Sequence, residues 1–430
     1  MGRSNSGQCQ IEGTVAQGFE SVRQLYEHNM RTLVERNTQL CVYHRGKRVV
    51  DLWATATGDS EFSPDTLVNV FSSGKSLEAI AMASLVGKGL LDYDARITDY
   101  WPEFGANGKG EVTVADLMRH EAGLAALRTP LPPEDLLPAS IKQNRVGAVI
   151  EGHTQRFRAG GGSRREYHAI SRGWIANEVF RRVDPAGRTI GEFIAEDISG
   201  PLGADVAIGL EEADLDRVSR VSPLRLGFQL REGLKPKALG RRTELNTFQI
   251  FRLIGGMIAG RGKTTTADAP PPFKGLKGFG SFNRPEVVMG ETPSANAHCS
   301  ARGLAKIGAM MSAGGKSDGT QYLSEQAWRA MHGEPVEADM GFINTTFTQG
   351  GVNSFTATTA ASSDMETAFN AGREGFFGWM GLGGSILQWH PQHEIGFGYV
   401  PTSLNVMDFL NTRGKAYQQE TLRCIDGMNS

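Results

Sequence analysis

Strand-like alternation of apolar and polar residues sits at the two ends of this 430-residue chain and is scarce between them. That separation constrains the fold more than any single motif does. Near the start, QLCVYHRGKRVVDLWATATG alternates around Arg45-Gly46-Lys47, the pattern of a β-hairpin. Near the end, Ser385–Trp389 and Ile395–Val400 flank a turn carrying Pro391. Each strand needs a partner, and strands this far apart in sequence most simply meet in one antiparallel sheet. Amphipathic helical spacing frames them, over about residues 15–38 (Phe19, Val22, Leu25, Tyr26, Leu33) and from Asn411 to Cys424. Between the ends the chain reads as helices and loops, with helices expected over Ser76–Leu90, Val112–Arg119 and Ser171–Arg182.

The expected architecture is an α/β sandwich, an antiparallel sheet flanked by helices and built from both chain ends, with an inserted, mainly helical domain. In residue terms this means a flexible N-terminus at 1–14, an α/β unit from 15–95 together with 296–430, and a helical unit at 96–295. The last includes a Pro-, Gly- and Thr-rich loop over 260–295. A cleft at the junction is a favoured place for a small-molecule site.

A formal charge of −2 gives no long-range field to argue for nucleic acid or an anionic membrane, so small molecules are the expected partners. Cys9, Cys41, Cys299 and Cys424 form no CxxC pair, which disfavours a disulfide scaffold or a zinc site and fits a reducing compartment. No run approaches the roughly twenty apolar residues of a membrane span, and MGRSNSGQCQ has no apolar signal core, so the expected location is cytoplasmic. Met1-Gly2 with Ser6 fits the loose pattern for N-myristoylation, against the plainer reading of a frayed terminus. No metal or cofactor is expected. His390 and His393 flank Pro391 without a third ligand nearby and are read as a solvated turn, while His120 and His298 are read as structural.

The chemistry-bearing feature is NVFSSGKSLEAIAMASL, which puts Ser72 and Lys75 three residues apart at a helix start. That spacing brings both side chains to one face, close enough for an amine to take a hydroxyl proton, and the helix N-terminus favours a developing oxyanion. A lysine near its ordinary pKa of about 10.4 is a poor base, so Lys75 must be desolvated or lie beside another cation. The spacing alone also fits a capped, solvent-facing helix start. Ser73-Gly74-Lys75-Ser76 and Arg261-Gly262-Lys263-Thr264 imitate the end of a phosphate-binding loop, but Asn69 and Met257 stand where its first glycine belongs.

Two further motifs follow in order: Tyr167-His168-Ala169 in EYHAISRGWIANEVFRRVDP, and Trp379-Met380-Gly381 in GWMGLGGS on a predicted strand. With Ser72-x-x-Lys75 they make the chain resemble class C β-lactamases and, more closely, β-lactamase-like carboxylesterases and their eukaryotic relatives. RHEAGL, PLGAD and ANAHCSARGLAKIGAMMSAGG extend the likeness over most of the chain. The resemblance implies the penicillin-recognising serine hydrolase fold. It further implies Ser72 as nucleophile, Lys75 sharing its proton, Tyr167 as partner base and later proton donor, and an oxyanion hole from the backbone N–H groups of Ser72 and Leu382. His168, Trp379 and Gly381 would then contact substrate.

Two departures matter. Ala169 replaces an Asn that in the family contacts the acyl side chain, and Trp379 replaces the Lys that would meet a β-lactam carboxylate. Losing a cation and gaining an indole turns the site toward neutral or apolar acyl groups, hence toward esters and away from penicillins. Trp379 could equally pack the strand against the domain interface. Three functions remain open at this level: an esterase, an acyltransferase or peptidase using the same acyl-enzyme, and a catalytically retired member serving binding or assembly.

Overall fold

The structure, a computed structural model, describes residues 9–157, 164–243, 245–251, 255, 269–341, 343–360, 362–408 and 410–429. Gly2, Ser6 and the Arg261–Thr264 loop lie outside the described residues, as does part of the 260–295 loop.

Nine strands form one antiparallel sheet: β1 (Gln10–Val15), β2 (Asn37–His44), β3 (Lys47–Thr55), β4 (Val336–Asp339), β5 (Asn344–Phe347), β6 (Asn353–Ser354), β7 (Phe377–Met380), β8 (Ile386–His390) and β9 (Ile395–Pro401). Their spatial order is β1-β3-β2-β9-β8-β7-β6-β5-β4. The expected hairpins β2–β3 and β8–β9 are its centre, and β2 and β9 join the chain ends, with Leu40 opposite Tyr399 and Val42 opposite Phe397.

The period of two assigns the faces. Leu40, Val42, Ile386, Phe397 and Tyr399 enter one core, shared with Val22, Tyr26 and Tyr417 of the helices α1 (Glu20–Thr32) and α5 (Thr412–Asn429). Cys41, Leu387, Trp389 and Val400 enter the other, with the buried helices α2 (Lys75–Gly87), α3 (Ser171–Val183) and α4 (Ala301–Ser312). Glycines of β9 permit a backbone-to-backbone approach to α4: a Cβ on Gly396 would lie 2.1 Å from the Ala309 nitrogen.

A second, four-stranded sheet orders Val206–Ile208, Ala297–Cys299, Leu67–Asn69 and Val218–Ser219. It ties the strand leading into Ser72 to residues more than a hundred positions downstream, with Asn69 opposite His298. All four cysteines are free, and no helix among the described residues is long and apolar enough to cross a membrane.

Three expectations need correction. Residues 10–14, expected in a flexible terminus, belong to edge strand β1, whose Ile11 and Val15 lean on the α1 core while alternate residues face solvent. Strands β4 to β6 went unread because VEAD and NTTF are polar, short and near the sheet edge. His390 is buried: Nε2 lies 3.1 Å from the Glu374 carbonyl, and Nδ1 accepts the His393 N–H.

Candidate active site

The turn carrying Ser72 is set by its neighbours. Asn69 Oδ1 accepts the Phe71 N–H at 2.7 Å, and Phe71 takes a positive φ of 46°, an uncommon conformation for an aromatic residue. The chain thus swings from strand Leu67–Asn69 into the 3₁₀ turn Phe71–Gly74 and directly into α2. Ser72 lies in that turn and Lys75 is the first residue of the α-helix, one turn above it.

Lys75 is fully buried, and its Nζ lies 3.4 Å from Ser72 Oγ, 2.7 Å from the Ala169 carbonyl and 3.0 Å from the Ser294 carbonyl. Burial, then the Arg172 guanidinium, hold its amine well below the ordinary lysine value; Glu78 opposes them. Arg172 is itself buried. It donates Nε to Glu78 Oε1 at 2.7 Å, Nη2 to the Lys75 carbonyl at 3.1 Å, and Nη1 to the carbonyls of Met118 and Gly351. The second Glu78 oxygen accepts Ser294 Oγ at 2.6 Å, so the pair also holds the residue whose carbonyl receives Lys75. This buried cation next to the amine was invisible in the sequence; only the register of Arg172, five residues beyond Tyr167, hinted at it.

Tyr167 completes the cluster. Its hydroxyl hydrogen-bonds Ser72 and accepts the Trp379 indole N–H at 2.9 Å, and Lys75 Nζ lies 4.9 Å from its ring centre. Burial pushes the phenol up to about 12, against the lowering effect of those two hydrogen bonds. Trp379 is fixed in turn: its backbone N–H donates to Ser76 Oγ at 3.1 Å from strand β7. It lines the cavity and also donates to the phenol, so neither packing nor cleft wall alone describes it.

Gly381 lies where a Cβ would be 2.1 Å from both the Val70 carbonyl and Ser385 Oγ, so the third motif packs against the Ser72 turn only as glycine. The next residue, Leu382, faces the same cavity as Ser72, and its N–H has no protein acceptor among the described residues. His168 departs from expectation. It is fully buried, Nδ1 donates to the Glu166 carbonyl at 2.6 Å, and Nε2 accepts the Leu124 N–H at 3.1 Å. Burial drops its pKa to about 3, so it is a neutral structural ring with no nitrogen left for substrate. His120 backs it, accepting the His168 N–H at 3.0 Å, with its ring 4.8 Å from that of Tyr167 and tilted by 46°.

Two cavities flank the cluster, separated by the Tyr167–Ala169 segment. One, of about 220 Å³, is lined by Ser72, Tyr167, Met340, Phe369, Trp379 and Leu382. The other, of about 460 Å³, is walled by Ala125, Leu127, Ala169, Trp174, Phe279 and Phe282. Among the described residues neither is lined by Lys or Arg.

Comparison with known proteins places this geometry. The chain is 30% identical over 67% of its length to the esterase/beta-lactamase LipL of Mycobacterium tuberculosis (strain ATCC 25618 / H37Rv), and the match spans 61% of LipL. In structure it is similar to a penicillin-binding protein homolog from Caulobacter crescentus, at a TM-score of 0.74 and 26% identity, covering 96% of this chain and 100% of that one. A family VIII carboxylesterase superposes with a TM-score of 0.73, again at 26% identity and the same coverage. The beta-lactamase family model matches residues 22–419, and the chain belongs to that family.

Proposed function

We propose that the protein is a serine esterase that forms an acyl-enzyme on Ser72 and acts on neutral, apolar acyl esters, with weak or absent β-lactamase activity. The observation that carries this reading is the Trp379–Tyr167 hydrogen bond inside a cavity whose described lining offers no cation. A β-lactam carboxylate would be desolvated there without a counter-ion, whereas an ester loses little on entry.

In this mechanism neutral Lys75 takes the Ser72 proton as Oγ attacks the ester carbonyl. The oxyanion is held by the backbone N–H groups of Ser72 and Leu382. Tyr167, kept protonated by its raised pKa, gives its proton to the departing alkoxide. The resulting tyrosinate is held by the Trp379 N–H and the newly charged Lys75, from which it recovers a proton. Water then attacks the acyl-enzyme with the same pair as base. The leaving alcohol sits on the Tyr167 side, in the smaller cavity, and the acyl chain extends toward Ala169 and the larger one.

The test is turnover of p-nitrophenyl butyrate against nitrocefin, together with intact-mass detection of a phosphonate adduct. Ester turnover lost in Ser72→Ala, with a single adduct on Ser72, is expected. Equal rates for both proteins, or nitrocefin turned over faster than the ester, would sink the reading.

A further inference from the structure

The total charge of −2 conceals a local basic excess. Between residues 225 and 251 the sequence carries Arg225, Arg231, Lys235, Lys237, Arg241 and Arg242 against two carboxylates, Glu232 and Glu244. Glu232 is buried and is used internally: it binds Lys235 Nζ at 2.9 Å and accepts the Arg242 N–H at 3.0 Å. Interleaved with these cations are Leu226 (44% exposed), Leu234 (74%), Leu239 (74%), Phe248 (76%) and Phe251 (58%). Among the described residues, five of the nine exposed large hydrophobic ones thus fall in one segment, a clustering that single exposed leucines elsewhere do not show.

The described residues of the segment hold one another in place. Helix Leu226–Gly233 receives Thr247, whose Oγ1 donates to the Leu230 carbonyl at 2.6 Å and whose nitrogen would lie 2.6 Å from a Cβ on Gly233, so the backbone just before Phe248 meets the backbone just before Leu234. It is anchored beside the active site at both ends. On entry, Ser222 and Leu224 donate N–H groups to the Thr402 and Leu404 carbonyls, and Leu404 packs on Gly383, which lines the smaller cavity. On return, Asn283 clamps Val221 by two reciprocal 2.9 Å hydrogen bonds, and Phe279 and Phe282 wall the larger cavity.

We propose that Arg225–Phe251 is a docking surface for anionic phospholipid bilayers, its leucines and phenylalanines entering the headgroup region while its arginines and lysines meet lipid phosphates. Charge complementarity selects this occupant. A symmetric pairing of two copies through the patch would set basic residues against basic residues. Docking places the larger cavity next to the acyl chains, so the corollary, which rests on the esterase reading, is that esters carried in the bilayer are substrates.

Flotation of the full-length Ser72→Ala protein with phosphatidylcholine vesicles, with and without phosphatidylserine, separates the binding step from the chemistry. Binding that requires phosphatidylserine and is lost in high salt is expected. It should fall roughly tenfold to a hundredfold in the Arg225→Ser/Arg231→Ser/Arg242→Ser variant, and also in Leu234→Ser/Phe248→Ser. Circular dichroism and short-ester turnover of the same changes in the Ser72 protein verify folding. No binding, binding equal for both vesicle types, folded variants that bind like the parent, or sedimentation showing that Leu234→Ser/Phe248→Ser dissociates a dimer would each overturn the proposal. A protein that floats but does not turn over esters refutes the esterase reading alone.

Discussion

Replacing Arg172 with Met should shift the acid limb of the kcat/KM profile toward alkaline pH. In the proposed mechanism Lys75 acts without its proton, so the limb reports loss of a proton from the coupled Lys75–Tyr167 pair in the free enzyme. Arg172 donates to the Lys75 carbonyl at 3.1 Å and is, after burial, the main influence depressing the amine. A like charge at roughly 6–8 Å in an effective dielectric of about 20 is worth about 2–3 kcal/mol, or about two pH units. Glu78 offsets part of that in the wild type, and in Arg172→Met it is left as an unpaired anion near Lys75, which adds to the rise. The net expectation is a limb displaced upward by about one to two units. Glu78→Gln should move it the other way, because the opposing anion is gone while Ser294 keeps an acceptor. Breaking a buried ion pair costs about 3–5 kcal/mol of stability, so the double variant Glu78→Met/Arg172→Met, which leaves neither charge stranded, is the necessary companion. Its limb should fall between those of the single variants. The assay is p-nitrophenyl butyrate turnover across pH, paired with the pH dependence of phosphonate labelling at Ser72. If both single variants, folded by circular dichroism, shift in the same direction, or neither shifts, Arg172 does not set the lysine's basicity.

Trp379→Phe keeps the ring but removes the N–H that meets the Tyr167 phenol. A hydrogen bond to a transient tyrosinate is worth about 1.5–3 kcal/mol, so kcat should fall roughly tenfold to a hundredfold with KM little changed; an unaltered kcat would remove the indole from the mechanism. Glu291, buried under Thr189, Asn177 and Gly191, has its pKa raised from 4.5 to about 7, chiefly by desolvation. Its folded form holds the proton more tightly than the unfolded chain does. The associated stability is therefore intact below about pH 4.5 and is lost as pH rises toward 7. Glu291→Gln should gain about 2–4 kcal/mol at pH 8 and nothing at pH 4; thermal melts showing the same difference at both pH values would contradict the assignment.

The central hairpins were legible because apolar-rich runs flank the turns at Arg45–Lys47 and Pro391, and α1 because its apolar residues recur at helical period. The polar edge strands β4 to β6 were not, since a strand that buries little carries little hydrophobic signal. Ser72, Lys75, Tyr167 and Trp379 could be named from three short motifs, and the structure brings all four within one cluster. What the motifs could not convey was how the lysine loses its proton: Arg172 and Glu78 look like ordinary charged helix residues until α2 and α3 pack face to face. His168 misled for the opposite reason. It sits inside a motif, yet its neighbours Glu166 and Leu124 consume both ring nitrogens.

The pairing of β2 with β9 has a consequence for synthesis. Until the ribosome has released the last strand, β2 presents a long apolar edge with no partner, an aggregation-prone state that lasts for most of translation. Ser72 and Leu382 meet only because Gly381, near the end of the chain, packs against the Val70 carbonyl. A nascent or C-terminally clipped polypeptide would therefore carry the Ser72 turn without the Leu382 N–H that faces the same cavity, and turnover in the proposed reaction would report complete assembly.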